Sequence, residues 1–194
     1  MIKKVLILVS ILVIIIAGAL VYFKKQTGKK SIQPKQSTQS TQELRIQRDI
    51  LAIRKFAESS DLAVQYDSDS KSSYDEKISV GIYFAGADQY EVDSRDGRII
   101  QFGTRSLPVG SENEKIVDNS SKYTSKELEG MAREFIAKKA PNVNLETLNL
   151  SYDNKGANYF FKWEDRTSKT SEGYPFIQVG FSQGGTLLNY INAL

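Results

Sequence analysis

Nineteen consecutive residues without a charge, Val5–Phe23 (VLILVSILVIIIAGALVYF), divide this chain before anything else about it is considered. At about 1.5 Å rise per residue a helix of that length spans roughly the 30 Å hydrocarbon core of a bilayer. Lys3 and Lys4 precede the run, and Lys24, Lys25, Lys29 and Lys30 follow it. Ala17-Gly18-Ala19 has the form of a signal-peptide cleavage site, but the apolar run continues past it through Tyr22 and Phe23. The segment 1–23 therefore reads as an uncleaved transmembrane signal-anchor, with an aromatic and lysine border at the interface. The lysine count is nearly balanced across it. A short N-terminal tail before a hydrophobic helix favours an extracytoplasmic C-terminal part.

Charge partitions along the same line. The chain carries 26 Lys+Arg against 23 Asp+Glu, a net of +3. Residues 1–30 hold six lysines and no acid, so the other 164 residues carry 20 basic and 23 acidic groups. The basicity belongs to the membrane flanks, and the remainder is mildly acidic with no basic stripe for a phosphate backbone. Nucleic acid is not an expected partner.

The chain has no histidine and no cysteine among its 194 residues. That excludes Ser-His-Asp and Cys-His nucleophile systems, ordinary zinc, haem and iron–sulfur sites, and disulfides. No catalytic, cofactor-binding or metal residues are assigned, and the chain is not expected to be an enzyme. Ser68-Asp69-Ser70-Lys71 matches S-x-x-K and Ser111-Glu112-Asn113 matches S-x-N. That acyl-transfer chemistry needs the serine at the start of a buried helix, whereas this tetrad lies in a Ser/Asp-rich segment. Asp67, Asp69 and Asp75, or Asp93 and Asp96, lack the spacing of a calcium loop. Glu164 and Asp165 read as a charged strand end. A small envelope hydrolase using Ser/Lys or carboxylate chemistry, and a structural assembly subunit, remain as alternatives to a binding protein.

Residues 24–42 contain mostly Lys, Gln, Ser and Thr, with Gly28, Pro34 and one hydrophobic residue, Ile32, and read as a flexible linker. Beyond it the periodicity predicts a helix over 42–59, with Leu44, Ile46, Ile50, Leu51, Ile53, Phe56 and Ala57 as its apolar stripe. Strands follow at 62–66, 77–84, 89–93 and 98–102, with a polar loop at 67–75 and an Asp96-Gly97 hairpin turn. Residues 107–122 read as a connector. Thr124-Ser125-Lys126-Glu127 then has the capping-box form, and the helix behind it ends before Pro141. Four strands follow, at 147–152, 158–164, 174–181 and 186–191. Helix-then-four-strands thus occurs twice, and the expected fold class is α+β: a transmembrane helix, then two helix-plus-antiparallel-sheet modules at 43–106 and 123–194.

Alternation along the later strands sorts the aromatics. Tyr159, Phe161 and Trp163, with Ile177, Val179 and Phe181, share the face expected to pack on the helix. Phe160, Tyr174 and Phe176 fall on the opposite face and form the candidate protein-binding surface; the competing reading has this face packed between the modules.

Tyr90-Glu91-Val92-Asp93-Ser94-Arg95-Asp96-Gly97-Arg98-Ile99-Ile100 resembles the closing hairpin of PepSY-type domains. Phe176-Ile177-Gln178-Val179-Gly180-Phe181-Ser182-Gln183-Gly184-Gly185-Thr186-Leu187-Leu188 is similar to a second, diverged copy that lacks the acid at the position of Asp93. The resemblance implies tandem, non-catalytic α+β modules, exported or membrane-anchored, that inhibit peptidases or regulate other envelope proteins. It supports the extracytoplasmic orientation and transfers no residue-level role.

Overall fold

The computed structural model describes residues 36–105, 110–111 and 115–194. Val5–Phe23 lies outside the described residues, and among those described no helix is long and apolar enough to cross a membrane.

Helix α1 (Gln36–Ala57) is followed by β1 (Gln65–Lys71), β2 (Ser79–Ala85), β3 (Asp88–Asp93) and β4 (Ile99–Thr104). Helix α2 (Ser125–Lys139), a short 3-10 turn at Leu145–Thr147, and β5 (Asn149–Lys155), β6 (Asn158–Glu164), β7 (Phe176–Ser182) and β8 (Leu187–Asn192) complete the order. The second helix starts where its capping box dictates. Glu127 N–H donates to Thr124 Oγ1 at 3.3 Å, and Thr124 N–H donates to Glu127 Oε2 at 2.8 Å, so two amides left free by the first turn are satisfied. Lys138 and Lys139 close the helix against its own dipole, and Pro141 follows.

All eight strands join one antiparallel sheet in the order β1-β2-β3-β4-β8-β7-β6-β5. Each set of four is a meander, and the two meanders meet through their last strands at Gln101↔Ile191, Phe102↔Tyr190 and Gly103↔Asn189. The first strand of each set, β1 or β5, therefore forms an outer edge. Residues 40–194 make one compact unit with a shared core, so the segments 43–106 and 123–194 are halves of one sheet.

Both helices cover the same face. Ile53 of α1 and Leu128, Ala132 and Ile136 of α2 are fully buried against Tyr83, Tyr90, Val92, Phe161, Trp163, Ile177 and Val179. Ile53, Leu128 and Ile136 each contribute about 2 kcal/mol by leaving water. Phe56 joins the halves, with its ring centroid 5.6 Å from Phe135 of α2 and 5.3 Å from Tyr190 of β8.

Three local expectations need correction. The first helix begins at Gln36, inside the segment read as linker, and its apolar stripe is narrower than expected because Leu44 and Leu51 are exposed. The strand expected at 62–66 lies at Gln65–Lys71, and most of the polar stretch read as a loop is therefore strand. An edge strand needs backbone partners more than apolar side chains, and β2 supplies them. Finally, β7 starts at Phe176, because Pro175 has no N–H to give a ladder, so Tyr174 lies in the preceding loop.

Candidate functional site

The sheet face turned away from the helices is the surface to examine for function. Alternation and register place Val80, Ile82 and Phe84 of β2, Glu91 of β3, Gln101 of β4, Asn189 and Ile191 of β8, Gln178 and Gly180 of β7, and Phe160 and Lys162 of β6 there. Loops cover part of it. The β1–β2 loop and the β6–β7 loop enclose a cavity of about 560 Å³, lined among others by Tyr74, Ile78, Arg98, Ile100, Tyr174 and Phe176. A second depression of about 420 Å³ runs over Phe160, Lys162, Gln178, Asn189 and Ile191, and Tyr74 borders both.

The three aromatics singled out from sequence are distributed across this surface. Phe160 lies over Gly180: a Cβ at position 180 would sit 2.6 Å from Phe160 Cδ1. A strand glycine is thus covered by its cross-strand aromatic neighbour. Phe176 is half-buried, edge-on to Tyr74 with ring centroids 5.6 Å apart. Lys162 separates Phe160 from Phe176 along the face; its Nζ stands 4.2 Å from the Phe176 ring centroid and donates to Glu164 at 2.7 Å. Tyr174 borders the larger cavity from the loop, 36% exposed. Phe176 and Tyr174 thus share one cavity, and Phe160 belongs to the neighbouring one.

Polar groups that sequence reading missed sit among them. Glu91 is buried; its Oε1 accepts from Ser73 Oγ at 3.1 Å, while Oε2 has no hydrogen-bond partner among the described residues. Gln101 Oε1 and Asn189 Oδ1 are equally unpartnered. Burial, together with the Glu91 carboxylate, raises the Tyr74 phenol above its ordinary pKa. Alternation puts Glu91 on the outer face, where an acid is ordinarily solvated, so its burial beneath the β1–β2 loop left no local signal.

The residues of the hairpin that carries the PepSY resemblance support the fold. Asp93 is fully buried, and its carboxylate binds the backbone N–H of Arg95 at 2.9 Å and the Arg95 guanidinium at 2.7 Å. Those hydrogen bonds hold its pKa below the usual carboxylate range. From α1, Arg48 donates to the carbonyls of Ser94 at 3.1 Å and Arg95 at 3.0 Å, which seats the turn on the helix. In the second half the turn is held differently: Gly184 N–H donates to the Asp118 carbonyl at 3.1 Å, from the segment before α2.

The remaining motif residues stay apart. Ser68 Oγ donates to Asp67, and Lys71 Nζ donates to Ser79 Oγ, so the S-x-x-K tetrad forms no serine–lysine pair. Glu112 and Asn113 lie outside the described residues. Asp69 pairs with Arg45 at 2.7 Å, whereas Asp75 and Asp96 each accept a local backbone N–H. Among the described residues no acidic group assembles that could hold a metal ion. Glu164 is held below its ordinary pKa by the Lys162 hydrogen bond, and Asp165 by that of Thr167, opposite to the shift a general acid needs.

No family model matches the chain. No curated protein matches it. Among solved structures it is similar to the Bacillus megaterium YpeB C-terminal domain, at 11% identity and a TM-score of 0.51, over 75% of this chain and 61% of that one. At that identity the likeness is one of fold alone. The similarity supports the α+β fold in outline, and the chain spans less than two thirds of that domain's length.

Proposed function

We propose that this chain is a non-catalytic, PepSY-like regulatory protein, tethered by Val5–Phe23 and displayed on the extracytoplasmic side, that binds another envelope protein or a peptidase. The two helix-and-meander halves are read as tandem modules of that family fused through β4 and β8. One observation carries the binding reading. Both helices lie on one side of the sheet, and the other side presents Phe160, Phe176 and Tyr174 around open depressions. Apolar anchors ringed by polar groups are the ordinary make-up of a protein-recognition surface.

The test is crosslinking on intact cells followed by mass spectrometry, comparing the parent with a Phe160→Ser, Tyr174→Ser, Phe176→Ser variant. The parent should capture a defined envelope partner, and the variant should lose at least tenfold of that capture while still unfolding in one cooperative transition, at a lower midpoint. Equal capture by both overturns the assignment of the face. Protection of the domain from externally added protease overturns the orientation.

A further inference from the structure

The two edges of the sheet differ in a way that identifies what one of them meets. All seven residues of β5, Asn149-Leu150-Ser151-Tyr152-Asp153-Asn154-Lys155, are exposed. Leu150 and Tyr152 point to the helix side, opposite Trp163 and Phe161 of β6, yet remain 37% and 63% exposed because α2 lies over β6 and β7 and stops short of the edge. Asp153 and Lys155 sit 3.7 Å apart on the other side, leaving the strand electrically neutral. The opposite edge is defended: β1 carries a bulge at Asp67, two aspartates, and the Arg45–Asp69 pair reaching in from α1. Bulges and charges are how proteins blunt an edge, and β5 has no bulge.

We propose that β5 pairs with β5 of a second copy of this chain, antiparallel about a two-fold axis through Tyr152, making one continuous sheet across a homodimer. In that register Tyr152 faces its own counterpart, Ser151 faces Asp153, Leu150 faces Asn154 and Asn149 faces Lys155. The whole strand is used and no like charges stand directly opposite each other. Because the axis passes through a residue, the hydrogen-bonding phases of the two strands match whichever set of amides points outward. On the helix side the two Tyr152 rings and flanking Leu150 side chains close into one apolar cluster. The same operation on β1, centred on Ser68, sets Asp67 against Asp69 twice, a repulsive arrangement. In the full-strand register self-complementarity therefore belongs to β5, and a second copy is the occupant it favours.

The chain's lack of cysteine makes the test clean. Full-length protein in detergent micelles is prepared as single-cysteine variants Tyr152→Cys, Lys155→Cys and Ser68→Cys and mildly oxidised. Directly opposed residues lie about 5 Å apart between Cβ atoms, whereas the two copies of position 155 lie about 20 Å apart along the strand. Tyr152→Cys should form disulfide dimers at least tenfold faster than either control. A second arm keeps Tyr152 in place: Ser151→Cys mixed with Asp153→Cys should crosslink at least tenfold faster than either alone. Equal rates at positions 152, 155 and 68, or a mixture no faster than its components, overturns the proposal; so does capture of a different protein at position 152 by a chain that sediments as a monomer. Dimerisation through the apolar N-terminal run alone leaves the variants indistinguishable and counts against it.

Discussion

The Tyr83 hydroxyl donates to Asp49 Oδ2 at 2.7 Å, with neither side chain exposed to solvent. On its other oxygen Asp49 accepts from Arg48 at 2.7 Å, and Arg48 in turn holds the β3–β4 turn. One carboxylate thus couples α1, β2 and the hairpin that carries the family resemblance. Tyr83→Phe leaves that oxygen only the Arg45 guanidinium at 3.7 Å, and should cost about 1–3 kcal/mol in urea unfolding. An unchanged midpoint would show that the bond is idle.

Alkaline stability follows from the same residue. Burial, then the hydrogen bond to Asp49, pushes the Tyr83 phenol far above its ordinary value of 10.0, and burial raises Tyr90 and Tyr190 as well. A folded pKa above the unfolded one means the native state holds protons the unfolded chain releases. The stability they contribute is complete below about pH 10 and falls as pH rises beyond it. Unfolding midpoints measured from pH 8 to 12 should drop above pH 10, and less steeply in Tyr83→Phe. A drop of equal slope in both proteins would contradict this origin.

At the acid end one contributor is Glu58, whose backbone is left-handed at φ 57. Its carboxylate accepts from Lys138 and Lys139, each at 2.7 Å, tying the end of α1 to the end of α2. Those hydrogen bonds hold its pKa at about 2, against an ordinary 4.5. With the folded pKa lowered, the contribution is present above pH 4.5 and is lost as pH falls toward 2. Glu58→Gln should flatten that part of the stability profile. Parallel acid limbs for variant and parent would refute the assignment.

Gly97 has φ 80, and an added Cβ would lie 3.0 Å from Arg48 Nε. Gly97→Ala should cost about 1–2 kcal/mol from the backbone alone. The loss should be smaller in an Arg48→Ala background, where only the backbone strain remains. Equal losses in both backgrounds would mean the Arg48 contact is irrelevant.

Gly180→Ala drives a methyl against Phe160 and Asn189, and should cost about 1–3 kcal/mol. Phe160→Ala frees that space, so the double variant should be more stable than the sum of the single losses by about 0.5 kcal/mol or more. Strict additivity would show that the ring does not lie over Gly180.

Much of this molecule was legible from local pattern. The capping box at Thr124 and the stop before Pro141 place α2 within a residue or two of its observed limits. Period-two alternation put Phe161, Trp163, Ile177 and Val179 on the helix side, where all four are buried. The same alternation put Phe160 and Phe176 on the other side, where the structure has them. It failed at Tyr174, because alternation does not register that Pro175 cannot donate to a ladder. It failed at β1 as well, because QYDSDSK has no apolar period, and its strand state comes from β2 alongside it.

Local pattern alone was enough to place α2 and the later strands and to sort the side chains that alternate along them, because these depend on neighbours within a few positions. Composition also determined what chemistry is unavailable, since a chain without His or Cys carries that limit into any fold. The meeting of the two meanders at β4 and β8, which makes one sheet and one core in place of two, emerges only in the folded chain. That junction brings together residues about 90 positions apart, such as Phe102 and Tyr190. No local period encodes such a pairing. It is selected when Phe56, Phe135, Phe102 and Tyr190 can leave water only by packing together.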